Sequence, residues 1–160
     1  MATSPPPLTI APADPDAAAA RACLAAYLAL LSARIPNLGT CHVPLPDPEA
    51  PAYRPPQGAF LLAWHGDDPV GCVSLKTVAP GVGEVKRLWV APAARGQGLA
   101  RRLMAAIEDE ARTLGLTHLR LDTNESLPEA IALYRATGWA EVAPFTAFPA
   151  THWFAKPLTG

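Results

Sequence analysis

Apolar residues along the chain switch between two periods, and the switches mark its elements. "LTIAPAD" (8–14) reads as a short strand that runs into an alanine-rich helix over about residues 15–33. "AFLLAWHGDDPVGCVSLKTV" (59–78) holds two apolar runs joined by Gly66, Asp67, Asp68 and Pro69, the pattern of a hairpin. "GEVKRLWV" (83–90) predicts a third strand after a turn at Pro80–Gly83. Next, Leu99, Leu103, Ile107, Ala111 and Leu114 mark one face of a helix that Gly115 is placed to end, with Glu108, Asp109 and Arg112 on other faces. "LTHLRLDT" (116–123) alternates, with Leu119 and Leu121 opposite His118 and Arg120. "SLPEAIALYRATG" (126–138) predicts a helix with a capping box of Ser126 and Glu129 and a terminal Gly138. "WAEVAPF" and "THWFAKPL" supply two last strands.

Two stretches break the periods. From Arg34 to Gly58 the chain carries seven prolines and little periodicity, so an irregular connection is expected. In the third strand the aliphatic residues change phase between Val85 and Leu88. One extra residue, a β-bulge, repairs the pattern; a strand buried on both sides is the alternative. Hairpins first and helix-crossed strands later predict a mixed α/β fold: a frayed tail over 1–7 and one domain over 8–160.

Composition narrows the function. With 160 residues and 50% hydrophobic positions the chain can bury a substantial core. A net charge of −1 gives no global field for nucleic acid, so any anion site must be local. Cys23, Cys41 and Cys72 are odd in number and have no C-x-x-C spacing, which predicts reduced thiols in a cytoplasmic protein and no metal site. The run "AAAARACLAAYLALL" (17–31) follows Asp14 and Asp16 and contains Arg21, so a core helix is expected rather than a leader or membrane span.

The chemistry concentrates in "APAARGQGLARRL" (91–103). Glycines at 96 and 98 allow close backbone approach, and the helix start beyond them offers open N–H groups to an anion. No lysine of a phosphate-binding P-loop is present, and Arg101 stands where a dinucleotide fingerprint needs glycine.

At these residues the chain resembles the GNAT superfamily of acyl-CoA-dependent N-acyltransferases. Arg95, Gly98 and Ala100 satisfy its Q/R-x-x-G-x-G/A pattern, and "LRLDT" and "ALYRATGW" follow at the expected distance. The likeness runs over about residues 60–145; the first 58 residues agree in layout only. The resemblance implies a mostly antiparallel sheet flanked by helices and splayed at its bulged central strand. It implies acetyl-CoA as acyl donor and no metal. Amides of Arg95, Gly96, Gln97, Gly98, Leu99 and Ala100 would cradle the pyrophosphate, with Arg101 and Arg102 either assisting or simply solvated. Leu88, Trp89 and Val90 would pair with the pantetheine arm, and the Leu88 N–H would face the thioester carbonyl. Tyr134 matches the family's tyrosine and would act on the departing thiol, or else pack on its helix. Glu84 is the expected general base, with His65 and His42 behind it, or a solvated strand residue. Cys72 is expected in the core, not as a nucleophile. Asn124 departs from the family's N-x-x-A spacing; it is a cofactor contact or an Asx turn, and Asp122 and Thr123 have similar standing. The implied acceptor is a small-molecule primary amine or a peptide N-terminus, taken by a monomer or homodimer that binds neither nucleic acid nor membrane. Tyr53 and Arg54 are expected as surface residues that could otherwise read an acceptor anion. A non-catalytic acyl-CoA sensor and a plain partner-binding domain are the alternatives.

Overall fold

A computed structural model describes residues 6–38 and 44–159. Its elements are β1 (Leu8–Pro12), α1 (Ala18–Arg34), β2 (Gly58–His65), β3 (Asp68–Ala79), β4 (Val82–Val90), α2 (Leu99–Thr113), β5 (His118–Thr123), α3 (Pro128–Ala136), β6 (Ala140–Glu141) and β7 (His152–Pro157). The strands form one sheet in the order β1-β2-β3-β4-β5-β7-β6. Every pairing is antiparallel except β4 with β5. This is the mixed α/β architecture that the residue pattern predicts, with the mostly antiparallel sheet that the resemblance implies.

Alternation along the central strands builds two cores. Leu61, Ala63, Val73 and Leu75 face one side, where Leu99, Leu103, Ile107 and Ala111 of α2 cover them. Phe60, Leu62 and Cys72 face the other side, against Ala20 and Cys23 of α1 and Tyr53. The α2 stripe is thus the predicted one, although Glu108 is buried and bound by Lys156 at 2.8 Å. Helix α2 ends in a Schellman motif: Gly115 has φ +80°, and the Leu116 N–H reaches back to the Ala111 carbonyl at 3.0 Å.

Three local expectations are corrected. The capping box of Ser126 and Glu129 does not form. Pro128 occupies the first helical turn and supplies no N–H to cap, the Ser126 N–H goes to Asn124 Oδ1 at 2.8 Å, and Glu129 pairs instead with Arg34 of α1. The strand expected over 139–145 contracts to Ala140–Glu141. Tyr53 is not a surface residue: it is 1% exposed, in a short 3-10 turn at Ala50–Tyr53. Arg54 grips Asp14 and Asp16, at 3.0 and 2.9 Å. The acids before α1 therefore anchor the proline-rich connection through Arg54.

Candidate active site

The sheet opens at its centre because β4 and β5 diverge. They pair only over Val82–Glu84 against His118–Arg120. Beyond Glu84 that edge of β4 has no strand partner among the described residues. The bulge lies at this point. Cys72 pairs with Trp89 and Ser74 with Lys86, so Arg87 and Leu88 together oppose Val73. Arg87 has φ +63°, the left-handed region, which costs a non-glycine residue about 1–2 kcal/mol. The extra residue restores the phase, and Val85, Leu88 and Val90 pack on one core while Trp89 packs on the other.

An outer cavity of about 340 Å³ extends from this opening to the start of α2. Leu88, Trp89, Val90, Arg95, Gly96, Gly98, Leu99, Ala100 and Arg101 all line it. Gly96 and Gly98 have φ +78° and +74°, and a methyl group added to either would meet no protein atom within 4 Å. The glycines are therefore required for backbone shape and leave open space above the loop. The first intrahelical bond runs from the Arg102 N–H to the Gly98 carbonyl at 3.1 Å. The N–H groups of Leu99, Ala100 and Arg101 have no backbone partner among the described residues, and the helix dipole adds partial positive charge there. Open donors, glycine-shaped backbone and flanking arginines fit a pyrophosphate. Gln97 and Arg102 are exposed and do not line the cavity. Arg95 donates from Nε to the Val90 carbonyl at 3.3 Å, which also braces the turn.

A smaller inner cavity, about 80 Å³, lies in the gap between β4 and β5. Tyr134, Asp122, Thr123, Lys86 and Arg87 line it, and it shares Tyr27, Leu88, Leu127 and Ala130 with the outer one. Tyr134 is 5% exposed and packs obliquely on Trp139 and Phe154, with ring centroids 6.0 and 5.6 Å away. Burial pushes its phenol well above the usual range, with the tyrosine and carboxylate at Tyr27 and Asp122 adding to it. Desolvation likewise pushes Tyr27 up to about 12. Asp122 accepts a hydrogen bond from the Thr146 hydroxyl at 2.6 Å.

The remaining expected residues lie elsewhere. Asn124 makes the Asx turn: its Oδ1 accepts from Ser126, and its Nδ2 donates to the Pro149 carbonyl at 2.6 Å. Both ends are used, and it lines neither cavity. Glu84 is buried at the foot of the opening, 3.7 Å from Lys76 Nζ and 3.7 Å from Arg120 Nε, also outside both cavities. His65 pairs with Leu8 at the far end of β2, and His42 falls outside the described residues, as does Cys41. Cys72 is fully buried, and its thiol donates to the Arg87 carbonyl at 3.1 Å.

Sequence reasoning passed over Tyr27 and a cluster of charges beside the bulge. Arg87 is 9% exposed, and its Nε and Nη2 reach Asp47 at 3.2 Å and Glu49 at 3.0 Å. Glu49 also accepts from Lys76 at 2.6 Å, Lys86 at 2.8 Å and the Tyr53 hydroxyl at 2.9 Å. Burial opposes its ionisation, but Lys76 and Lys86 bring its carboxyl down to about 2. The available signals were faint: Tyr27 is the one aromatic in the alanine-rich run, and Asp47 and Glu49 are the only acids between Arg34 and Gly58.

With this geometry in place, the comparisons identify the class. The family model for the acetyltransferase (GNAT) family matches residues 27–139. A solved structure from Klebsiella pneumoniae, assigned provisionally to the acyl-CoA N-acyltransferases, superposes with TM-score 0.76 at 30% identity, covering 95% of this chain and 98% of that one. An IAA acetyltransferase of Azospirillum brasilense is 43% identical over 108 residues, 64% of this chain and 70% of the relative. An uncharacterized N-acetyltransferase of Schizosaccharomyces pombe is 36% identical over 96 residues, and the match spans only 58% of that relative's length. The chain belongs to the GNAT acetyltransferase family and is an acyl-transferring enzyme of that class.

Proposed function

We propose that the chain transfers an acetyl group from acetyl-CoA to a primary amine, of a small molecule or a peptide N-terminus, by direct attack within one ternary complex. The observation that carries this reading is the meeting of two cavities at Leu88: one is lined by open helix amides and glycine backbone, the other by Tyr134 and Asp122. Acetyl-CoA supplies the thioester carbonyl that the amine attacks. The Leu99, Ala100 and Arg101 amides, with Arg95 beside them, hold the pyrophosphate, and the free edge of β4 at Leu88–Val90 pairs with the pantetheine arm. The Leu88 N–H donates to the carbonyl oxygen as charge develops there.

In the net reaction a C–N bond forms, the C–S bond breaks, and one proton passes from nitrogen to sulfur. A thiol has an unperturbed pKa of about 8.5, below that of a buried phenol. The proton on Tyr134 therefore stays on its oxygen, and Tyr134 serves as a neutral hydrogen-bond donor to the departing sulfur. For the amine's proton two carboxylates compete. Glu84 is already engaged by two cations, whereas Asp122 lines the inner cavity, so we assign to Asp122 the proton that the attacking amine loses, and that proton reaches the departing thiolate by way of solvent.

The test is thiol release from acetyl-CoA across a panel of small amines and peptides, repeated as a pH profile for Glu84→Gln and Asp122→Asn. An accepted amine, with the larger loss and the altered acidic limb in Asp122→Asn, supports the assignment. A dominant effect of Glu84→Gln returns the base to Glu84. Cofactor-dependent thermal stabilisation with no thiol release from any amine would make the domain an acyl-CoA sensor.

A further inference from the structure

We infer that the proline-rich connection controls the bulge: Asp47 and Glu49 hold Arg87 in its left-handed conformation, and through it fix the direction of the Leu88 amide. Leu88's role here rests on the reaction proposed above; the clamp itself stands on geometry alone. Four observations carry it. Arg87 is one of two described non-glycine residues with positive φ, and it occupies the bulge itself. Its side chain bears no solvent-facing duty, being 9% exposed, and ends on two carboxylates about forty residues earlier in the chain. Asp47 is buried as well, with a side chain 1% exposed, and its other Oδ receives the Glu49 N–H at 2.9 Å. Glu49 is in turn fixed from three more directions, by Tyr53, Lys76 and Lys86.

A side chain disfavours the left-handed region unless its surroundings over-determine it. Here the opposing force is the grip of two carboxylates on a buried guanidinium, Asp47 buried with it and Glu49 partly exposed. The neighbouring thiol strengthens the arrangement from the other side, since Cys72 donates to the Arg87 carbonyl. Arg87 is thus a positioning residue, and a substrate that moved the connection would also move the oxyanion donor. The device links the connection to the group that polarises the donor carbonyl.

The test is a double-mutant cycle of Asp47→Asn in native and Arg87→Gly backgrounds, because glycine adopts positive φ without being held. Asp47→Asn should lower kcat about 10-fold in the native background and by less than about 3-fold in the Arg87→Gly background, with KM for acetyl-CoA nearly constant in both. Equal losses in the two backgrounds, or no loss in either, would overturn the proposal. Independently of activity, NMR coupling constants and Cα shifts at Arg87 report its φ. Asp47→Asn should move them towards extended values, and left-handed values retained in that variant would overturn the clamp even if no accepted amine is found. Circular dichroism checks folding, and Glu49→Gln carries the same cycle should Asp47→Asn fail to fold. A protein that releases no thiol but shows the φ change would sink the reaction assignment while keeping the clamp.

Discussion

The role proposed for Tyr134 rests on its surroundings. Its ring is fixed by Trp139 and Phe154, and it lines a cavity that Asp122 and Tyr27 also line. Tyr134→Phe retains the ring, so packing and acetyl-CoA affinity should persist. Thioester sulfur accepts hydrogen bonds weakly, and only the charge developing on sulfur makes the hydroxyl matter. We expect kcat to fall about 10- to 100-fold with KM for acetyl-CoA nearly constant. Steady-state kinetics on an accepted amine decide it; full activity would reduce Tyr134 to packing, and a loss confined to KM would make it a binding contact. The sequence singles out Tyr134 and Gly98 because a local motif surrounds each, and both line the cavities. Tyr27, Asp47 and Glu49 could not, because their importance comes from partners that approach only after the sheet forms.

Among the elements, the turn from β4 into α2 carries the most consequence per residue. The phase change at Val85–Leu88 left a bulge and a strand buried on both sides as alternatives, and the register shift between Cys72 and Ser74 decides for the bulge. The helix stripe and its glycine stop were legible, being short-range patterns. The capping box failed because Pro128 set the helix start one position later than the Ser126 match assumed. At Gly98 the φ of +74° lies where a β-branched side chain is a true outlier, although open space surrounds the position. Gly98→Val should therefore act through backbone shape: stability falls by about 1–2 kcal/mol and acetyl-CoA affinity falls at least 10-fold. Calorimetric titration alongside a urea melt would measure both. Unchanged affinity in a folded variant would remove the basis for a phosphate cradle at this turn.

Across the whole molecule, two half-sheets, β1-β2-β3-β4 and β5-β7-β6, meet through a parallel ladder of three residue pairs. So brief a junction leaves the cleft open, and the charged network beside it ties the connection to β3 and β4. Nothing in the sequence pattern could assign that tie, because prolines suppress periodicity and ion pairs leave no period at all. It has a pH signature. Glu49 titrates near 2 in the folded protein against an ordinary value of 4.5. A depressed folded pKa means the contribution is complete above about pH 5 and is lost as pH falls through 4.5 towards 2. Its side chain is 31% exposed, so solvent screening reduces the effect, and we expect about 1 kcal/mol to disappear between pH 7 and pH 3. Glu49→Gln cannot titrate. It should be less stable than the native protein at pH 7, because Lys76, Lys86 and Arg87 lose a shared anion, yet lose less on acidification. Urea unfolding of both proteins at pH 7 and pH 3 gives the comparison, with other carboxylates such as Asp14 common to the two. Parallel losses would show that the network's lysines, not the charge on Glu49, hold the connection against the sheet.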